Sequence, residues 1–287
     1  MRPESGPDFV CIGMQKAGTG WLFDQVQHHP AFWMPPVKEL NYLLENPSRL
    51  RNVEQRLRAL RDPNKKGRNR ARDDRDLAFL EEARACRGEP RDMARYASLF
   101  RFKHDLLSGD ITPAYSELED DVVAELAQAL PETRVMLIVR DPVSRACSHI
   151  SEFHRNAKFD ARLLDDPAGL RDFLETSPKI SRRSFPSEIV RRWTKSLSPT
   201  QFRHFFFDEI SDQPEKARRE ILQFIGADPD KKSGEFEAGY NRKANFAKLE
   251  FTPAAMSVII DHFRNELRAC AALFGSYAKG WAEKYGV

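Results

Sequence analysis

The stretch Phe9-Val10-Cys11-Ile12-Gly13-Met14-Gln15-Lys16-Ala17-Gly18-Thr19-Gly20-Trp21-Leu22 decides how this chain is read. Phe9 to Ile12 is a short apolar run with the composition of a buried strand. A turn containing Gly13, Gly18 and Gly20 follows, and it carries Lys16 and Thr19. A helical pattern begins at about Thr19 and runs to His28. Strand, glycine turn and helix start together make an anion cradle. The helix dipole and the first backbone N–H groups favour a phosphate at that point. The glycines let the backbone come close and take positive φ where needed. The turn therefore predicts a phosphorylated ligand near the N-terminus.

The place of the lysine narrows the ligand. A nucleoside-triphosphatase loop reads G-x-x-x-x-G-K-[S/T], with the hydroxyl on magnesium. Gly13 and Gly18 have this spacing, but Thr19 and Gly20 stand where the lysine and the hydroxyl residue belong. Lys16 lies inside the loop instead. From there it is placed to reach a bridging oxygen of a phosphosulfate. A plain βα turn with packing glycines is the other reading.

Outward from this stretch, Arg134-Val135-Met136-Leu137-Ile138-Val139 is a second buried-strand pattern. It leads into Arg140-Asp141-Pro142-Val143-Ser144-Arg145-Ala146-Cys147-Ser148-His149. Pro142 suits a first helical turn and Asp141 suits the N-cap. Arg140 then closes a strand at its C-terminal end, where open α/β sheets bind ligands. Ser148 lies about two turns along the helix. A guanidinium with a hydroxyl makes a receiver for a phosphate monoester. A structural Arg140–Asp141 ion pair is the alternative.

Together these segments resemble the sulfotransferases that use 3′-phosphoadenosine 5′-phosphosulfate (PAPS). Gln15 to Leu22 is similar to their 5′-phosphosulfate loop, QKTGTTxL. Val139 to His149 is similar to their 3′-phosphate motif, LRDPVERAYSHY. Val37-Lys38-Glu39-Leu40-Asn41-Tyr42-Leu43 resembles the KExHFF segment of the heparan sulfate branch and its bacterial relatives. Gly109-Asp110-Ile111-Thr112-Pro113-Ala114-Tyr115 resembles their EKTPAY. Ser184 to Trp193 and Phe202 to Ile210 resemble the tryptophan helix, strand and acidic turn that follow. The matches run in one order from Phe9 to about Gly275. Gly20, Asn41 and Ile111 depart from the family's threonine, histidine and lysine.

The resemblance implies a P-loop-like three-layer α/β fold with a mainly parallel sheet. It implies PAPS as sulfuryl donor, adenosine 3′,5′-bisphosphate (PAP) as product and no metal. Lys16, Ala17, Gly18, Thr19, Gly20 and Trp21 would hold the 5′ end, with Lys16 opposing charge on the leaving phosphate. Arg140 and Ser148 would grip the 3′-phosphate. Arg242 and Lys243, flanked by Tyr240 and Phe246, are possible helpers, or two solvated cations on a surface loop. Glu39 matches the catalytic glutamate and is the candidate base, with an exposed Lys38–Glu39 pair as the alternative. His28, His29, His104 and His149 are further base candidates, since histidine titrates near neutrality. The resemblance implies a hydroxyl-bearing acceptor such as a glycan.

Composition sets bounds. The 287 residues fit one α/β domain with a charged helical insertion at about 45–104. Hydrophobic residues make up 41%, enough for a substantial core. Lysine and arginine nearly balance the acids, and a net charge of +3 does not point to nucleic acid. Cys11, Cys86, Cys147 and Cys270 form no C-x-x-C pair, so they read as core residues rather than metal ligands. No apolar run approaches the ~18 residues of a membrane span, and no signal peptide is visible. A cytoplasmic, bacterial enzyme is expected.

The remaining elements follow from periodicity. A short strand is expected over 105–110, helices over 119–130, 143–154, 185–197, 214–225 and 253–274, and a strand over 202–207. An irregular region is expected over 165–178. Two other functions stay open: a kinase or nucleotide triphosphatase with an altered loop, and a non-catalytic binding module on the same fold.

Overall fold

The computed structural model describes residues 6–45, 49–60, 74–231 and 249–287. Strand β1 (Phe9–Gly13) leads through the glycine turn into α1 (Thr19–Gln27). Helices α2 (Arg51–Leu60), α3 (Asp74–Ala85) and α4 (Met93–Ser98) follow, then β2 (Gly109–Ile111), α5 (Asp120–Ala129) and β3 (Arg134–Val139). Next come α6 (Pro142–Arg155), α7 (Pro167–Thr176), α8 (Pro178–Ser181), α9 (Pro186–Thr194) and β4 (Phe202–Phe206). Helices α10 (Phe207–Asp212), α11 (Pro214–Phe224), α12 (Pro253–Phe274) and α13 (Ser276–Lys284) complete the order.

The four strands form one sheet in the order β2-β1-β3-β4, with every pair parallel. Phe9 to Ile12 and Val135 to Val139 are fully buried. Strands apolar on both faces need helices on both sides, which gives the layered, P-loop-like α/β fold. β1 passes to β2 on one side, and β3 then returns to the other side of β1. The strand order thus reverses between β1 and β3, where a crevice opens at the strand C-terminal ends. The first glycine turn and Arg140 both stand there.

Several elements differ from the sequence reading. The strand expected over 105–110 is displaced to Gly109–Ile111, because Leu106 is turned onto the Lys103 carbonyl and Leu107 forms only an isolated bridge with Phe32. The region over 165–178 is helical, since Pro167 sits in the first turn of α7 behind an Asp166 cap. The fourth strand ends at Phe206, and Phe207 opens α10. Three of the four cysteines are buried, whereas Cys147 is half-buried. The charged insertion has an apolar face: Leu50, Val53, Phe79 and Leu80 are buried. Asp76 accepts a 3.0 Å bond from the Trp33 indole.

Candidate active site

The turn after β1 is held from outside. Gly18 has φ +89°, and a Cβ there would meet the Phe207 ring at 3.2 Å. No side chain caps the start of α1. Lys16 has φ +70°, and its carbonyl accepts a hydrogen bond from Arg140 Nη1. Its ammonium lies 3.6 Å from Glu152 on α6. Gln15 accepts a bond from Arg183, which also pairs with Glu117 at 2.7 Å.

Arg140 joins the second turn to the first. Its guanidinium stacks over Phe207 at 4.5 Å from the ring centre. Burial pulls its pKa below the ordinary arginine value, so the site favours an anion beside it. Asp141 does cap α6, accepting from the Val143 amide at 2.9 Å. Its other oxygen accepts from Ser144 and Tyr285 at 2.6 Å each. The carboxylate is thereby taken up by the cap and the C-terminal segment.

Beside Arg140 lies a cavity of about 330 Å³, lined among others by Ser144, Phe207, Asp208, Trp281 and Lys284. That volume is at the lower end for small-molecule pockets. Trp281 donates to Asp208 at 3.1 Å, and burial raises the Asp208 carboxyl. Ser148 is half-buried and one turn further along α6; Ser144 lines the cavity instead. Arg242 and Lys243 lie outside the described residues.

Glu39 stands across the turn, with φ +64°. The Lys38 ammonium lies 3.3 Å from the Glu39 carboxylate and 3.3 Å from the Thr19 hydroxyl. The pair foreseen from sequence therefore exists, and it bridges the glycine turn to the candidate base. Thr19 is nearly enclosed. Asn52 of α2 donates to the carbonyls of Lys38 and Glu39 at 3.2 and 3.1 Å, and Asn41 donates to Glu39 at 3.0 Å. Beneath this segment, Asp110 of β2 is buried among Tyr96, Thr112 and Tyr115.

The histidines are less well placed. His149 packs against the fully buried Arg145, with its Nδ1 3.3 Å from the guanidinium. Burial and that charge push its pKa down to about 2, so it is neutral at physiological pH. Burial likewise lowers His29, which contacts the Asp228 carbonyl. His28 and His29 follow the C-terminal end of α1, opposite the glycine turn. His104 precedes β2 at the far end of the sheet.

Sequence reasoning missed Asp110, Asn52, Phe207 and Trp281. Asp110 had a local signal, an acid two residues before the Thr112-Pro113-Ala114-Tyr115 turn. Trp281 had none. Among the described residues, no cluster of His, Cys, Asp and Glu is arranged to hold a metal. No helix among them is long and apolar enough to cross a membrane.

The sequence model of the Sulfotransferase family matches residues 7–231. The chain belongs to the sulfotransferase family. Family membership supports sulfuryl transfer as its activity. A sulfotransferase from Alicyclobacillus acidocaldarius superposes with a TM-score of 0.63 at 18% identity, covering 96% of this chain and 98% of that one. The sulfotransferase domain of the Synechococcus PCC 7002 olefin synthase gives 0.51 at 14% identity, covering 100% and 98%. At these identities the likeness to this sulfotransferase is one of fold. No curated protein matched its sequence at a significant level.

Proposed function

We infer that this sulfotransferase takes its sulfuryl group from PAPS and passes it to an acceptor hydroxyl by in-line displacement. The observation that carries the reading is the Arg140–Lys16 hydrogen bond. It draws two phosphate-type turns, far apart in sequence, into one crevice beside an aromatic-lined cavity. The donor set fits the ligand: Lys16 and Lys38 stand at the first turn, and Arg140 and Lys284 at the cavity. Sulfotransferases generally use PAPS, which supplies a sulfuryl group already activated on a phosphate.

The chain's own residues then have three tasks, mostly positioning and charge stabilisation. Lys16 opposes the negative charge that builds on the leaving phosphate oxygen. Thr19 and the amides of Ala17, Gly18, Gly20 and Trp21 hold the 5′ end. Arg140 grips the 3′-phosphate with Ser148, Arg242 and Lys243. Ser144 and Lys284 join this set through their place at the cavity. Glu39 takes the proton of the acceptor hydroxyl as its oxygen bonds to sulfur. The KExHFF-like segment favours a glycan or another hydroxyl-bearing acceptor.

Calorimetry with PAP and with ATP, each with and without Mg²⁺, tests the donor. PAP binding without Mg²⁺, followed by transfer from labelled PAPS to an acceptor panel, supports the reading. Mg²⁺-dependent ATP turnover would favour a nucleotide triphosphatase. Tight PAP binding with no transfer to any acceptor would favour a binding module.

A further inference from the structure

Asp110 is a carboxylate with 2% of its surface exposed, on the edge strand β2. The Tyr96 and Tyr115 hydroxyls donate to its Oδ2 at 3.1 and 2.7 Å, and Thr112 donates to Oδ1 at 2.7 Å. Two of these hydroxyls also reach the segment that carries Glu39. Thr112 Oγ1 accepts from the Asn41 amide at 3.4 Å, and the Tyr115 hydroxyl accepts from the Leu43 amide at 3.4 Å.

The direction of these bonds matters. A hydroxyl has one proton, and an ionised carboxylate can only accept. Asp110 therefore compels Thr112 and Tyr115 to donate inward, which turns their lone pairs outward to the Asn41 and Leu43 amides. Burial raises the Asp110 carboxyl to about 6, so at neutral pH it is ionised and the pattern holds. Glu39 and Asn41, with φ +64° and +52°, are in a conformation that ordinary residues adopt only when their surroundings enforce it.

We propose that Asp110 is the positioning residue for Glu39, fixing through two relay hydroxyls the backbone on which the candidate base stands. This rests on the reading of Glu39 as the base. Asp110 touches no reacting atom. It aligns the carboxylate that does.

The test is Asp110→Asn, whose NH2 donates where one carboxylate oxygen accepts and so reverses one arm of the relay. Thr112→Val is the milder partner should the first variant fold poorly. Hydrogen exchange should speed up by at least about tenfold at the Asn41 and Leu43 amides in Asp110→Asn, and at the Asn41 amide in Thr112→Val. The affinity for PAP should stay within about twofold, while kcat drops by roughly 10- to 100-fold. In the Asp110→Asn/Glu39→Gln double variant, kcat should be no lower than in Glu39→Gln alone. Unchanged amide exchange in a folded variant overturns the proposal whatever Glu39 does. So does a double variant in which the two losses multiply. If Glu39→Gln alone keeps full kcat, the base assignment fails, and the proposal falls with it even where exchange responds.

Discussion

The guanidinium of Arg140, at the end of β3, donates a hydrogen bond to the carbonyl of Lys16 in the turn after β1. The two residues belong to the two turns proposed to hold phosphates, and one side chain shapes both. Arg140 fixes the backbone of the first turn and also presents its charge to the adjoining cavity.

Removing it should therefore harm nucleotide binding more than a single lost contact would. Arg140→Ala should weaken PAP affinity by about 10- to 100-fold, in line with ~1.5–3 kcal/mol for a charged hydrogen bond. Arg140→Lys should recover only part, since an ammonium cannot stack on Phe207 and reach the Lys16 carbonyl in the same fork geometry. Calorimetry measures this, and equal affinities in all three proteins would refute the grip.

The Lys16 ammonium lies 3.6 Å from the partly exposed Glu152 carboxylate, and an ion pair at such exposure adds little to stability. Lys16→Ala should keep the melting temperature within about 2 °C and lower kcat by 10²-fold or more, on the order of other lost charge-stabilising groups. A variant with near-normal turnover would move the leaving-group role to Lys38, whose ammonium lies 3.3 Å from Thr19.

Gly18 answers to backbone geometry. Alanine at φ +89° costs about 1–2 kcal/mol, and the new methyl would press on the Phe207 ring at 3.2 Å. Gly18→Ala should lower the denaturant midpoint and weaken PAP binding together. A parallel Phe207→Leu background should relieve the crowding and return part of the stability. No recovery there would mean the cost is wholly backbone strain.

Asp110 should leave a mark on stability as pH changes. Its carboxyl is raised to about 6 from 3.8 in the folded chain. Between those values the folded state retains a proton that the unfolded state has released. Stability from this group is thus greatest below about pH 4 and declines as pH rises to about 6. Asp110→Asn does not titrate, so the melting temperature of the variant minus that of the parent should rise across this window. A difference that stays constant from pH 4 to 6.5 would show that Asp110 keeps its ordinary proton affinity.

What the sequence revealed was local. The apolar runs of β1 and β3, the Asp141 cap and the glycine turn each lie within a few residues, and periodicity or turn chemistry exposes them. α7 was hidden because Pro167 and Gly169 look like breakers, although a proline in the first turn does not break a helix. β2 was displaced because the apolar Leu106 and Leu107 of the expected strand fall in a turn and an isolated bridge, while the strand itself carries a buried acid, Asp110. Its distant partner Tyr96 and the nearby Thr112 and Tyr115 make that burial tolerable. Asn52 and Trp281 likewise gain meaning from contacts with residues 38–39 and 208, which no window along the chain can see.

The Asn52 side chain grasps the peptide oxygens on both sides of the Lys38–Glu39 step from a helix inside the charged insertion. If Glu39 is the base as proposed, this charged segment is a wall of the reaction chamber. Chimeras that exchange it between relatives would transplant the setting of the proton acceptor along with the graft, and trimming it to make a smaller enzyme would leave the nucleotide crevice standing with its opposite bank unmoored.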